Sequence, residues 1–67
     1  MAGAIKKMLD QIIAVRSRGD PTFAMGTTTK LILKGLDPAR FTADSPDDPA
    51  IIAKVRQAAA DLGITLN

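Results

Sequence analysis

The chain has 67 residues and a formal net charge of +2, and it contains neither cysteine nor histidine. This composition excludes disulfides, and it excludes zinc, iron–sulfur and haem centres held by their usual ligands. The length suits one domain, residues 1–67, with a thin core, so we expect stability to come from close helix packing or from a second copy.

The first predicted element is an amphipathic helix over residues 3–17. Apolar residues recur there at the three- and four-residue spacing of one helix face. They are Ile5, Met8, Leu9, Ile12 and Ile13. Gly19 follows as a natural stop, and the charges of Arg16 and Arg18 suit a helix C-terminus.

The dipeptide Asp-Pro occurs three times, at residues 20–21, 37–38 and 48–49. Aspartate is a favoured N-cap because its carboxylate accepts a backbone N–H of the first turn. Proline suits the next position, where its missing N–H costs nothing. The three dipeptides therefore predict three helix starts.

Residues 21–34 allow more than one interpretation, because Gly26 and the threonines at 27–29 weaken a helix. The favoured one is a continuous helix ended by Gly35. Its inner stripe would be Ala24, Thr27, Thr28 and Leu31, with Phe23 and Ile32 at the edges. The alternatives are a short turn followed by a new helix from residue 27 or 28, and a strand over residues 27–33.

The second half of the chain predicts a connection and a final helix. Pro38 to Phe41 should form one helical turn, with Phe41 anchoring the segment to the core. Residues 49–62 carry an apolar stripe, and Gly63 occupies the position of a left-handed C-terminal glycine. Ile64 then stands where a Schellman motif makes its closing apolar contact.

These elements predict an all-α fold, a small three-helix bundle with an extra short helical turn. The predicted core contains residues from all of its parts. They are Ile5, Met8, Leu9, Ile12, Ile13, Phe23, Leu31, Phe41, Ile51, Ile52, Val55, Ala59 and Leu62.

The composition argues against an enzyme. With no histidine, cysteine, tyrosine or glutamate, acid–base chemistry would rest on aspartate and lysine alone. We therefore expect no catalytic residues and no cofactor. Asp44, Asp47 and Asp48 lack the spacing of a calcium loop, so helix capping is the better interpretation of this cluster than a metal site.

The middle of the chain is its most basic part and is the candidate for contacts with phosphate or nucleic acid. If a helix began at Thr27, its free N–H groups would lie beside threonine hydroxyls and a lysine, an arrangement that attracts anions. The candidate contact residues are Arg16, Arg18, Thr28, Lys30, Lys34 and Arg40.

Residues 55–65, VRQAAADLGIT, resemble the first helix and turn of helix-turn-helix domains. Ala59 and Gly63 would be the corresponding small residues. In that family the recognition helix follows the turn, and here it would have to begin at Asn67. We therefore expect phosphate contacts rather than major-groove reading if nucleic acid is bound.

Binding of a protein partner or of a second copy is the favoured function, because apolar stripes wider than one small bundle can cover would dock elsewhere. The expected interface residues are Ile5, Met8, Ile12, Ile64 and Leu66. No signal peptide or membrane span is evident, so we expect a soluble, cytoplasmic regulatory or interaction module. The alternative is a nucleic-acid-binding accessory protein that uses the basic middle segment.

Overall fold

The computed structural model describes residues 2–66, which form three α-helices and one 3₁₀ turn. Helix α1 spans Ala4–Ser17, α2 spans Pro21–Leu33 and α3 spans Pro49–Asp61. The 3₁₀ turn, Pro38–Arg40, lies between α2 and α3. Within the described range the only extended pairing is one bridge between Ala2 and Pro46. The all-α prediction is confirmed.

All three Asp-Pro dipeptides start a helical element. In each, the aspartate is the N-cap in an extended conformation and its Oδ1 accepts the N–H of the residue two positions on. The donors are Thr22 for Asp20, Ala39 for Asp37 and Ala50 for Asp48, each at 2.9 Å. Ser45, which could have formed a capping box with Asp48, bonds within the preceding loop, since its Oγ accepts the N–H of Thr42 at 2.9 Å.

Helices α2 and α3 also end in the same way, with a left-handed glycine and a Schellman closure. The glycines are Gly35, with φ of +79°, and Gly63, with φ of +73°. The residue after each glycine donates its N–H back into the last turn. These bonds run from Leu36 to the carbonyl of Leu31 and from Ile64 to that of Ala59, each at 2.8 Å.

Helix α2 is continuous through its three threonines, as the favoured interpretation predicts. The hydroxyls of Thr28 and Thr29 donate to the carbonyls of Ala24 and Met25, four residues earlier, at 2.9 and 3.0 Å. These bonds satisfy the side chains within the helix, which is why β-branched residues are tolerated here. Thr27 is buried, only 3% exposed.

The loop before α3 packs against the start of α1, a contact that the sequence did not predict. Asp47 accepts the N–H of Ala4 through Oδ1 at 3.1 Å, and Gly3 donates to the carbonyl of Ser45 at 3.0 Å. Gly3 has a φ of +89°, and a Cβ there would lie 2.9 Å from the carbonyl oxygen of Ala43. Only glycine allows this close approach.

The core lies between α1 and the inner sides of α2 and α3. Its buried apolar residues are Ile5, Leu9, Ile12, Leu31, Leu36, Val55, Ala58, Ala59 and Ile64. Met8, Ile13, Phe41, Ile51, Ile52 and Leu62 pack against them and are partly buried. The prediction is wrong for Phe23, which is 61% exposed. It also omitted three buried residues, Leu36, Ala58 and Ile64.

Candidate functional site

The residues predicted to form an interface lie mostly inside the single chain. Ile5 and Ile12 belong to the core, at 1% and 0% exposure, and Ile64 is buried at 8%. Met8 and Leu66 are partly buried and pack against that core. Because α1 is covered by the other two helices, Ile5 and Ile12 are buried within the single chain and are not presented at its surface.

The predicted basic residues occupy separate places. Arg16 and Arg18 lie at the end of α1, where α2 begins. Lys30 and Lys34 lie at the other end of α2, about 15 Å away along its axis at 1.5 Å per residue. Lys34 is held by Asp61 at 3.1 Å, whereas Arg40 lies on the 3₁₀ turn. The structure thus brings together Arg16 and Arg18 but not the whole set.

Thr28 is not part of an anion site at a helix start. The anion hypothesis required α2 to begin at Thr27, whereas α2 begins at Pro21. The N–H groups from residue 27 onward are inside the helix, where they belong to its hydrogen-bond ladder. The Thr28 hydroxyl is itself bonded to the carbonyl of Ala24.

A groove of about 560 Å³ opens where α1 ends, α2 begins and α3 ends, and we call it the arginine groove. Arg16, Arg18 and Asp20 supply its charged groups. Its apolar lining comes from α1, α2 and the residues that follow α3. These residues are Val15, Phe23, Leu62 and Ile64. The groove therefore combines an apolar lining with two guanidinium groups.

Arg18 adopts a left-handed conformation, with φ of 48° and ψ of 36°, and Gly19 follows with φ of +85°. Two successive left-handed residues turn the chain sharply from α1 into α2. The N–H of Arg18 donates to the carbonyl of Ala14 at 3.2 Å, and that of Asp20 to Ser17 at 2.8 Å. Arg18 is the only residue other than glycine with positive φ in the described range.

The second exposed surface is the side of α2 that faces away from the core. Its six residues have the spacing i, i+3, i+4, i+7, i+10 and i+11, which places them on one face of a helix. We define the outer face of α2 as Thr22, Met25, Gly26, Thr29, Ile32 and Leu33. Met25 is 72% exposed, Ile32 47% and Leu33 82%.

Helix α2 is therefore apolar on two sides. The inner stripe of Ala24, Thr27, Thr28 and Leu31 packs inward, as predicted, and the outer face carries a second apolar set. Gly26 lies within the outer face, and a Cβ built there would meet no atom within 4 Å. This glycine has no packing or conformational role in the single chain, although it weakens the helix.

A small polar cluster joins the ends of α2 and α3. Asp61 accepts from Gln57 Nε2 through Oδ1 and from Lys34 Nζ through Oδ2, both at 3.1 Å. The hydrogen bond from Gln57, and then that from Lys34, lowers the pKa of Asp61 below its ordinary value. Both partners favour the ionised carboxylate, and the group lies at the surface.

No group of three metal-ligating side chains comes together within residues 2–66. In that same range no helix is both long and apolar enough to span a membrane. Two of the three clustered aspartates have identified structural roles, since Asp47 binds the start of α1 and Asp48 caps α3.

No protein-family model, no curated protein and no solved structure matches this chain. Its function must therefore be argued from the arrangement of its own residues.

The sequence pattern did not single out the exposed apolar residues of α2, which are Phe23, Met25, Ile32 and Leu33, as surface residues. One signal was present: α2 has apolar residues around its whole circumference, which indicates either complete burial or a second contact surface. In a chain of 67 residues there is too little other structure to bury such a helix completely.

Proposed function

We propose that this protein is a non-catalytic interaction module that pairs with a second copy of itself through the outer face of α2. The observation that carries the proposal is where the exposed large apolar residues lie. Of the five such residues in the described chain, four are on α2: Phe23, Met25, Ile32 and Leu33. Three of those four belong to the outer face.

A second copy is the favoured occupant because the outer face is complementary to itself. Thr29 lies at its centre, with Met25 four residues before it and Leu33 four residues after it. An antiparallel crossing about a two-fold axis through Thr29 would place each Met25 against Leu33 of the other copy. The same axis would place Ile32 of one copy over the gap left at Gly26 of the other.

Charge does not oppose this pairing. None of the six outer-face residues is charged, so two copies can approach without desolvating an ion or placing like charges together. Small residues at Thr22 and Gly26 allow two helix backbones to come close. Such an arrangement is isologous, with the same patch on both subunits.

The pairing is expected to be weak. Burying a large apolar side chain contributes about 1.5–3 kcal/mol, less for one that is already half covered. Association costs about 4–15 kcal/mol in lost freedom. Only three principal side chains on each copy offset this cost, so we expect a dissociation constant on the order of 100 µM, which corresponds to a net gain of about 5.5 kcal/mol. A module with this affinity would respond to its own concentration.

Sedimentation equilibrium of the full chain from roughly 10 µM to roughly 2 mM spans this dissociation constant. The wild-type protein should move from monomer to dimer across that range. Leu33→Asp should stay monomeric with unchanged helicity, because it places a charge in the paired face while leaving the core intact. Ala53→Asp adds the same charge at an exposed position of α3 and serves as the matched control.

Gly26→Ala gives a second, opposite test. Alanine should raise helix stability by about 0.5–1 kcal/mol, since its Cβ meets nothing in the single chain. It should also weaken pairing by filling the gap that receives Ile32. A wild-type chain that is monomeric at the highest concentration, or a Leu33→Asp variant that pairs like wild type, would contradict the proposal.

A further inference from the structure

We propose that the arginine groove binds an acidic, apolar segment of another protein. Its carboxylate would bind at Arg16 and Arg18, and its bulky apolar side chain would pack against Phe23. The groove lies at the junction of the three helices, whereas the outer face of α2 points away from them. This inference therefore goes beyond pairing with a second copy and does not depend on it.

The size and lining of the groove suit a short peptide segment. Its volume of about 560 Å³ lies within the range of roughly 300–1,000 Å³ typical of ligand sites. Phe23 is 61% exposed at one side of it, so most of an aromatic ring is left in contact with water. A ligand side chain that covers this ring, between Val15 and Leu62, would remove apolar surface from water.

The charged groups that line the groove leave a net positive charge, which one negative group of a ligand would neutralise. Among residues 2–66 the ion pairs are Lys6 with Asp10 and Lys34 with Asp61, so neither groove arginine has a carboxylate partner there. Asp20 also lines the groove, but its carboxylate caps α2 by accepting the N–H of Thr22. Two guanidinium groups and one carboxylate leave a formal charge of +1, which matches a single carboxylate of a ligand.

The backbone conformation of Arg18 supports the proposal that its side chain binds the ligand. A left-handed residue at the end of a helix is most easily glycine or asparagine, since a longer side chain is strained there. Folding alone would therefore favour glycine at position 18. Arg16 lies in the last turn of α1, where a positive charge also suits the carbonyl end of the helix, whereas Arg18 lies beyond the helix and beside the groove.

A protein segment fits the groove better than a nucleic acid strand does. Single-stranded nucleic acid requires a basic track that follows several phosphates. Lys30 lies at the far end of α2, and Lys34 is already bound to Asp61. With Asp20 beside the two arginines, the groove carries a net formal charge of only +1, too little to hold several successive phosphates. The local charge thus favours a monoanionic ligand with apolar neighbours.

The direct test is an NMR titration of the ¹⁵N-labelled full chain with two isosteric tetrapeptides. One is acetyl-Leu-Asp-Leu-Phe-amide, and the other has asparagine in place of aspartate. The acidic peptide should shift the amides of Ser17, Gly63 and Ile64 with a dissociation constant on the order of 1 mM. The asparagine peptide should bind at least about tenfold more weakly, because it cannot pair with the guanidinium groups.

Variants of the protein separate the groove from the fold. Arg18→Gln should weaken binding of the acidic peptide about tenfold, whereas Arg40→Gln, with the same loss of charge on another surface, should leave it unchanged. Arg18→Gly should also lose binding while keeping or raising the melting temperature, which a purely structural role for Arg18 does not allow. Leu33→Asp should bind the peptide like wild type, since it alters only the outer face of α2.

Three outcomes would overturn the proposal. One is equal affinity for the two peptides, which would show that the arginines do not select the carboxylate. Another is the absence of shifts at the groove at peptide concentrations of roughly 10 mM. The third is tighter, salt-sensitive binding of oligothymidylate at the same amides, which would assign the groove to nucleic acid instead.

Discussion

Helices α2 and α3 have the same ends and different surfaces. Each spans 13 residues, begins with an aspartate N-cap and a proline, and ends with a left-handed glycine and a buried apolar residue. In the described structure α3 exposes no large apolar side chain, whereas α2 exposes four. Capping therefore determines where a helix begins and ends, and the pattern between the caps determines how many surfaces it offers.

The physical reason is the number of neighbours that a small chain can supply. Helix α3 has one apolar stripe, centred on Val55 and Ala59, and α1 covers it. Helix α2 has an inner stripe around Leu31 that α1 also covers, but its outer face has nothing in the described chain to pack against. Four large apolar side chains of α2 stay exposed because this helix has more apolar surface than its neighbours can cover.

The substitution with the largest expected effect on folding tests the difference between the core side of α3 and the outer face of α2. Val55 is fully buried, so Val55→Asp places an uncompensated charge in the core and should abolish folding. Leu33→Asp should leave the fold intact, because Leu33 is exposed. Circular dichroism during heating measures both. A cooperative melt for Val55→Asp would show that this part of the core tolerates rearrangement.

The next largest change in the free energy of unfolding is expected from a comparison of two leucines on opposite sides of α2. Leu31 is fully buried and Leu33 is 82% exposed. Leu31→Ala should lower the free energy of unfolding by about 3 kcal/mol through the cavity it leaves. Leu33→Ala should change it by less than about 0.5 kcal/mol. Urea titrations of dilute, monomeric protein give both values, and similar losses would mean that the two sides of α2 are not distinct.

The shared capping predicts equal losses at the two helix starts. Asp20→Ala and Asp48→Ala each remove a carboxylate that accepts a first-turn N–H at 2.9 Å. Each should lower the free energy of unfolding by about 1 kcal/mol. The same urea titrations measure them. A loss confined to Asp48 would mean that the start of α2 contributes little to the stability of the whole.

The smallest expected effect on stability comes from the contact between the ends of α2 and α3. The pKa of Asp61 is lowered by Gln57 and Lys34, so its ionised form stabilises the folded chain. This contribution is present at neutral pH and is lost as the pH falls below about 4, where aspartate becomes protonated.

Asp61→Asn should therefore lower the melting temperature slightly at pH 7. Because wild-type Asp61 loses its charge in acid, the difference between the two proteins should shrink as the pH falls. A difference that does not change between neutral and acid pH would show that the charge of Asp61 does not contribute. The effect is small because the group is exposed and the ion pair is screened by solvent.

Local chemistry accounts for the elements that were predicted correctly. The capping dipeptides, the stripes of α1 and α3 and the closing glycines act over a few residues, so the all-α fold follows from them. The exposed surfaces to which we assign a proposed function depend instead on contacts between residues far apart in the chain. Ile5 and Ile12 were predicted both as core and as interface residues, and the packing of the other helices against α1 buries them.

The amino-acid sequence indicates where α2 and α3 begin and end, since aspartate caps, proline and left-handed glycines act through bonds between near neighbours. The start of α1 has no side-chain cap and is bonded to the distant Asp47. Which apolar stripes are covered depends on the tertiary structure. It turned Leu36 into the core, left Phe23 in solvent beside Arg18, and exposed Met25 and Leu33. The interior of so small a chain cannot hold all of its apolar side chains. Which of them are buried depends on how the whole chain packs.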